Sequence, residues 1–407
     1  MYLFTSEAVS PGHPDKCADI IADSIVDALL QIDPGARVAT EVFIVGKNII
    51  IGGEVKTSAR VDDQFYKEVA KKALSGIGYP ERRGFDRGET LYPDETNIQV
   101  FVSRQSPDIS IGVDKESGEI GAGDQGMMFG YATIEREDFM PAALMYAREI
   151  RDALYEYARS RPGEFGVDLK TQVTLDYGNK ENFDACRPQK ISKIVVAISH
   201  SKDLAIEKVQ NKVRKIIEQT VRFPKGFYDP DETEFFIDQT GKFVTHGPIA
   251  DSGLSGRKVV CDTYGGYAPT GGGSQSSKDY TKVDRSGLYA ARWLAKHIVA
   301  AGLSRKAVVE IAYVIGRGEP ISVTVDTLHT ALTDLNDEEL SVMIAEKFPL
   351  TPQWINGKFG LDAPGKDRFL YADIAAKGQV GYAHYPWEKL DELSWFKSLT
   401  ESVKCLK

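Results

Sequence analysis

CADIIADSIVDALLQIDPGARVATEVFIVGKNIIIGGEV, residues 17–55, sets out one helix and two strands in succession. Cys17, Ile20, Ile21, Ser24, Ile25, Ala28 and Leu29 recur at helical spacing, and Asp33-Pro34-Gly35 stops the run. Two β-favouring stretches follow, 38–45 and 49–55, joined by the turn Gly46-Lys47-Asn48. An amphipathic stretch over 64–74 and a strand over 98–103 complete the order helix, strand, strand, helix, strand.

That order returns twice. Behind Pro141 the pattern predicts a helix to about 160, strands over 172–177 and 194–199, a helix over 204–221 and a short strand over 234–237. After Ser286 it predicts a helix to 301, strands over 308–315 and 321–325, and a helix over 338–348, with no readable last strand. A unit repeating at long period points to an internally duplicated fold of three similar α/β units, here 1–105, 119–243 and 244–407.

The unusual residues lie just ahead of each leading helix. Ser10-Pro11-Gly12-His13-Pro14-Asp15-Lys16 opens the first, GAGDQG at 121–126 the second, and GGGSQSSKDYTKVDR at 271–285 the third. The glycine triplet lets an anion approach backbone N–H groups, and Lys278, Lys282 and Arg285 follow at a helix start whose dipole favours the same anion. Ser277 and Asp279 exclude the ordinary P-loop, leaving a phosphate loop or a flexible Gly/Ser connector. His13 is a donor and Asp15 a metal-binding carboxylate, although Asp in a first turn and Pro at N1 are also routine helix chemistry. Asp19, Asp23 and Asp27 continue at four-residue steps and read as a solvated face. GAGDQG matches G-x-G-x-x-G without the strand and helix of a dinucleotide site, so it is a plain turn or a loop presenting Asp124 and Gln125 to a ligand. Arg257 and Lys258 precede the apolar run 259–261, read as a strand; they and Lys170 are charged strand ends or parts of a phosphate clamp. The polar stretch 103–118 suits a surface connection or a lid.

Composition narrows the partners. With 42% apolar residues and a net charge of −9, the 407-residue chain is a globular protein and not a general binder of nucleic acid or membrane surfaces. A basic cluster on an acidic chain suits a small polyanion. Cys17, Cys186, Cys261 and Cys405 and six scattered histidines form no transition-metal pattern, and the thiols read as reduced packing groups. No run approaches a membrane span and residues 1–7 lack signal-peptide features, so a cytoplasmic protein is expected.

HPDK, GAGDQG and GGG followed by SKDYTKVDRS, in this order in one chain, resemble the methionine adenosyltransferase (S-adenosylmethionine synthase) family. Gly52-Gly53-Glu54, Gln105-Ser106-Pro107-Asp108-Ile109, Ser255-Gly256-Arg257-Lys258 and Asp262-Thr263-Tyr264-Gly265-Gly266 extend the likeness over nearly the whole chain. The resemblance implies an α+β fold of three units with pseudo-threefold symmetry, and a homodimer or homotetramer with active sites between subunits. It implies attack of the L-methionine sulfur on C5′ of ATP, the expelled triphosphate being cleaved to pyrophosphate and phosphate. A thioether needs no base, so the protein must align substrates and stabilise a polyanionic leaving group.

By the same resemblance, His13, Lys170, Arg257 and Lys278 are the catalytic set. ATP would be bound by these with Asp124, Asp168, Lys242, Phe243, Asp251, Lys258 and Ser274. Methionine would meet Glu54, Gln105, Asp251 and Lys282. Two Mg²⁺ per site would be served by Asp15 and Asp284, and K⁺ by Glu41; the segment from Gln105 to about 115 would be the gating loop. Ser274-Gln275-Ser276-Ser277, Ile249-Ala250, Lys242 and Arg148 depart from the commonest family pattern, as does the absence of Arg-Pro before Asp168. A non-catalytic nucleotide sensor on the same scaffold is the alternative, and a kinase would instead leave ADP.

Overall fold

The computed structural model describes residues 1–79, 84–104, 120–365 and 367–402. Among the described residues, eleven strands fall into three small sheets. They are β1 (Leu3–Val9), β2 (Arg37–Val45), β3 (Asn48–Lys56), β4 (Asn97–Arg104), β5 (Gly126–Thr133), β6 (Phe165–Asp176), β7 (Lys190–His200), β8 (Glu234–Ile237), β9 (Gly253–Leu254), β10 (Lys306–Tyr313) and β11 (Ser322–Asp326). The long helices are α1 (Pro14–Ile32), α2 (Asp63–Ile77), α3 (Ala142–Ser160), α4 (Ile206–Thr220), α5 (Val283–Ala300) and α6 (Asp337–Lys347).

The repeated helix, strand, strand, helix order is present, and the fold is α+β. The sheets run β4-β3-β2-β9, β1-β6-β7-β8 and β11-β10-β5. In each, the first two strands after a leading helix pair antiparallel, and β4 and β8 then add in parallel.

Each unit also has an opening strand that pattern reading missed, and none of these strands stays in its own sheet. β1 lies antiparallel on β6 of the second unit, from Leu3 opposite Asp176 to Val9 opposite Lys170. β5 does the same on β10 of the third, and β9 on β2 of the first. The exchange runs in a closed cycle and ties the units together, with one apolar core spanning α1, α2, α5 and the C-terminal helices and a second under β6 and β7. Gly130 shows how tightly β5 is packed: a Cβ there would lie 2.0 Å from the Ala291 carbonyl of α5.

The third sheet gains no fourth strand among the described residues. After α6 the chain forms helices at Pro352–Phe359, Tyr371–Lys377 and Leu393–Ser402. Residues 259–261, read as a strand, belong to a short helix, Val259–Asp262. Cys17, Cys186 and Cys261 are buried and unbridged; Cys405 lies outside the described residues. No described helix is long and apolar enough to cross a membrane.

The aspartate row of α1 corrects the expectation of a solvated face. Asp19, Asp23 and Asp27 are all buried, and each catches a different segment of the third unit. Asp19 accepts the Gly256 N–H, Asp23 the Ser277 N–H and the Arg285 guanidinium, and Asp27 the N–H groups of Tyr371 and Ala372. Ala22, Val26 and Leu30 border the row three residues on, and a helix apolar on both flanks is a buried one.

Candidate functional site

The amino end of α1 is built against β6. The Ser10 hydroxyl donates to the Val167 carbonyl at 2.6 Å and accepts the Leu169 N–H at 2.9 Å, which sets Lys170 beside the helix start. Gly12 passes so close to β6 that a Cβ would lie 2.4 Å from the Val167 oxygen. His13 is the N-cap and Pro14 fills the first turn. The imidazole Nδ1 accepts the Asp15 N–H at 3.2 Å, so the ring proton sits on Nε2. Burial, then the charges of Lys170 and Lys258, hold His13 down at a pKa of about 3. It is a neutral donor at pH 7.

Asp15 is buried beside it. Its Oδ1 accepts the Leu254 N–H at 3.0 Å and lies 3.5 Å from the Arg257 guanidinium, and its Oδ2 receives the Lys258 ammonium at 2.6 Å. Burial alone raises a carboxyl, but here the Lys258 hydrogen bond and the Leu254 N–H outweigh it and the pKa falls. Lys258 is half-buried and Arg257 and Lys170 are exposed, so three cations ring one imidazole and one carboxylate.

The glycine-rich segment supplies an adjoining wall. Gly273 abuts Asp284, since a Cβ would lie 2.2 Å from its carboxyl carbon, and the Lys278 ammonium reaches Asp284 at 2.7 Å. Lys278 and Lys282 precede α5, whose N-cap is Lys282, as the spacing predicted. The segment is stitched to β2 through Thr40 N–H to Ser277 O and through Val38 N–H to the Asp279 carboxylate. Ser277 holds φ at 78°, a strained value for a residue with a side chain. Gly256 and Ser274 touch, which joins this wall to the Arg257–Lys258 segment. Glu41 on β2 closes the gap, accepting hydroxyl hydrogen bonds from Ser255 and, at 3.5 Å, Ser277.

Other residues named from sequence lie on further segments. Asp168 on β6 is buried and accepts the Gly247 N–H at 2.8 Å; Asp251 follows on the same turn, its N–H bonded to Gly247 O. Phe243 lies alongside, its carbonyl accepting the His200 N–H, with exposed Lys242 next to it. Asp124 is exposed on a loop whose Gly123 N–H bonds Thr281 O at 2.8 Å. Lys282 is buried and bound to Asp279 at 2.6 Å. Glu54 stands apart on the outward face of β3, the face that also carries Glu41. Gln105 and the expected gating segment lie outside the described residues.

Arg285 does not join Lys278 on the open side of the segment. Fully buried, it chelates Asp23 at 2.7 and 2.6 Å, donates to Lys278 O, and lies 4.3 Å from the centre of the Tyr371 ring. Lys16, named from sequence with the opening motif, and Asp19, read as part of a solvated face, are instead both buried beneath the site; the signal for it was the apolar flank of the aspartate row.

No three His, Cys, Asp or Glu side chains gather among the described residues. Asp15 and Asp284 stand singly, which fits Mg²⁺, since that ion uses one or two protein carboxylates and takes the rest of its shell from phosphate and water. Glu41 with two hydroxyls is likewise an oxygen donor set suited to a hard cation.

The fold and site define an α+β protein in which lysines, an arginine and single carboxylates from three units stand on adjoining segments. Domain profiles of S-adenosylmethionine synthetase match in succession: the N-terminal domain at 1–107, the central at 119–243 and the C-terminal at 245–389. The chain is 41% identical to S-adenosylmethionine synthase 2 of Rhodospirillum rubrum, over 98% of both chains. It is 42% identical to the S-adenosylmethionine synthase of Zymomonas mobilis, again over 98% of both. A solved structure, described as an unusual S-adenosylmethionine synthetase from Campylobacter jejuni, superposes with a TM-score of 0.94 at 52% identity, covering 98% of this chain and all of that one. The chain belongs to the S-adenosylmethionine synthetase family.

Proposed function

We propose that the protein makes S-adenosylmethionine from ATP and L-methionine, the sulfur displacing triphosphate from C5′, and that it then hydrolyses the triphosphate to pyrophosphate and phosphate. The observation that carries this reading is the pairing of Lys258 with Asp15 and of Lys278 with Asp284 on two segments that meet at Gly256 and Ser274. Such pairs hold ammonium groups ready for a polyanion while keeping carboxylates for a metal. Arg257, Lys258, Lys170 and Lys278 take the phosphates, and neutral His13 donates from Nε2 toward the bond that breaks. Asp168, Phe243, Lys242, Asp251, Asp124 and Ser274 line the nucleoside side; Glu54, Gln105, Asp251 and Lys282 receive methionine. Two Mg²⁺, held by Asp15 and Asp284, would add positive charge at the phosphate oxygens, and K⁺ would sit at Glu41.

The working unit is a homodimer or a homotetramer of two such dimers in the cytoplasm, with the three units bounded at 1–105, 119–243 and 244–407. Its supporting feature is the outward face of the first sheet, where Phe43, Ile50, Phe101 and Leu254 are 37, 38, 65 and 39% exposed beside Glu41 and Glu54. A flat apolar face bearing site residues suits a second copy. Incubation with ATP, methionine, Mg²⁺ and K⁺ should yield a sulfonium product, pyrophosphate and phosphate, with no ADP. Nucleotide binding without a sulfonium product would favour the sensor reading.

A further inference from the structure

The segment that carries Arg257 and Lys258 is held from below at both ends by charged groups that have no place in the phosphate site. At its start, Asp19 Oδ1 accepts the Gly256 N–H at 2.8 Å. At its end, the Lys16 ammonium binds Asp262 Oδ2 at 2.5 Å, and the same ammonium binds Asp19 Oδ2 at 3.0 Å. Asp262 closes the short helix that Lys258 caps, its N–H bonded to Lys258 O at 2.9 Å. One lysine and one aspartate of α1 thus span the segment like a bracket, and both are 1% exposed. Arg148 of α3 closes the far side, donating to Cys261 O at 2.9 Å, Thr263 O at 3.3 Å and Val380 O at 2.7 Å.

We infer that Lys16 and Asp19 are positioning residues for the phosphate grip, fixing where Arg257 and Lys258 stand relative to His13 and Asp15. The inference rests on the proposed function, because it takes Arg257 and Lys258 as the groups that meet the phosphates. The physical case is one of directionality. An apolar contact in this place would hold the segment at lower desolvation cost, since buried ion pairs seldom stabilise more than well-packed hydrocarbon. What Lys16 and Asp19 supply instead is a fixed direction at each end of a short loop whose own helix is a single turn. Lys16 and Asp19 lie on the first turns of α1, the helix that also carries Asp15, so one rigid element sets both the carboxylate and the cations facing it. A displacement of about an ångström in such a group is enough to cost catalysis heavily.

The test compares Asp19→Asn, Lys16→Arg and the apolar double variant Lys16→Met/Asp19→Leu with Arg257→Ala and Lys258→Ala in the full-length protein. Melting temperature, KM for ATP, KM for methionine and hydrolysis of added tripolyphosphate are read in each. The double variant takes the Lys16 ammonium from buried Asp262, so its melting temperature should fall; while folded it should leave KM for methionine unchanged and hydrolyse tripolyphosphate about tenfold more slowly, the low end for loss of an outer group that orients a ligand-binding one. Should it fail to fold, Lys16→Arg keeps the charge and carries the test: a raised KM for ATP at an unchanged melting temperature supports the inference, and a wild-type KM overturns it. Impaired Arg257→Ala and Lys258→Ala beside fully active Lys16 and Asp19 variants would overturn the positioning role alone. Full tripolyphosphate hydrolysis in Arg257→Ala and Lys258→Ala would overturn the phosphate reading, and the inference with it.

Discussion

Two ion pairs that both draw on residues 278–285 are built for opposite ends. Lys278 meets Asp284 at 2.7 Å with both side chains partly open to solvent, whereas Arg285 meets Asp23 at 2.6 Å with neither exposed at all. The first pair stays open to solvent, and on the proposed function its partners would be drawn apart by an incoming phosphate and metal. The second is sealed by Tyr371 and by the Lys278 carbonyl, so it fastens the loop to α1. A basic cluster in sequence is therefore two things in space: cations that face the site and a cation that holds up the wall on which they stand.

The largest effect should come from breaking the sealed pair. Arg285→Met leaves Asp23 charged and buried with only the Ser277 N–H and its neighbours, and should lower stability by about 3–5 kcal/mol in denaturant unfolding. Lys278→Ala should instead leave the unfolding midpoint nearly unchanged while lowering methionine-dependent triphosphate formation at least about tenfold. Asp15→Asn should show the same activity loss, from the loss of a metal ligand. If Arg285→Met proves the milder change in stability, the distinction between the two pairs fails.

How much of this was readable beforehand follows from where each signal lives. The helix, strand, strand, helix order was legible because hydrophobic period is local, and so were the three loops, because glycine runs and clustered charge mark them. β1, β5 and β9 were not, since each pairs with a strand of another unit and β9 is two residues long. The row Asp19, Asp23, Asp27 misled because four-residue spacing of charge ordinarily marks a wet helix face. Its partners, Gly256, Ser277, Arg285 and Tyr371, are more than 200 residues away in the chain. Arg285 misled for the same reason: type and spacing locate a charge but not the side from which it is neutralised.

A smaller effect concerns His13. The unfolded chain takes up a proton near 6.5, whereas the folded one, with the ring buried among Lys170 and Lys258, does so only at about 3. Stability linked to this group is present above pH 6.5 and lost as pH falls from there toward 3. Replacing His13 by Gln should flatten the decline in unfolding free energy between pH 7 and pH 5, and an unaltered slope would show that the ring titrates normally.

The most direct measurement is a crystal structure with Mg²⁺ and a non-hydrolysable ATP analogue. The triphosphate should lie between the Arg257–Lys258 segment and Lys278, within reach of His13, with metal at Asp15 and Asp284. A nucleotide seated away from His13 and the glycine triplet, with both lysine–aspartate pairs still closed, would contradict the account.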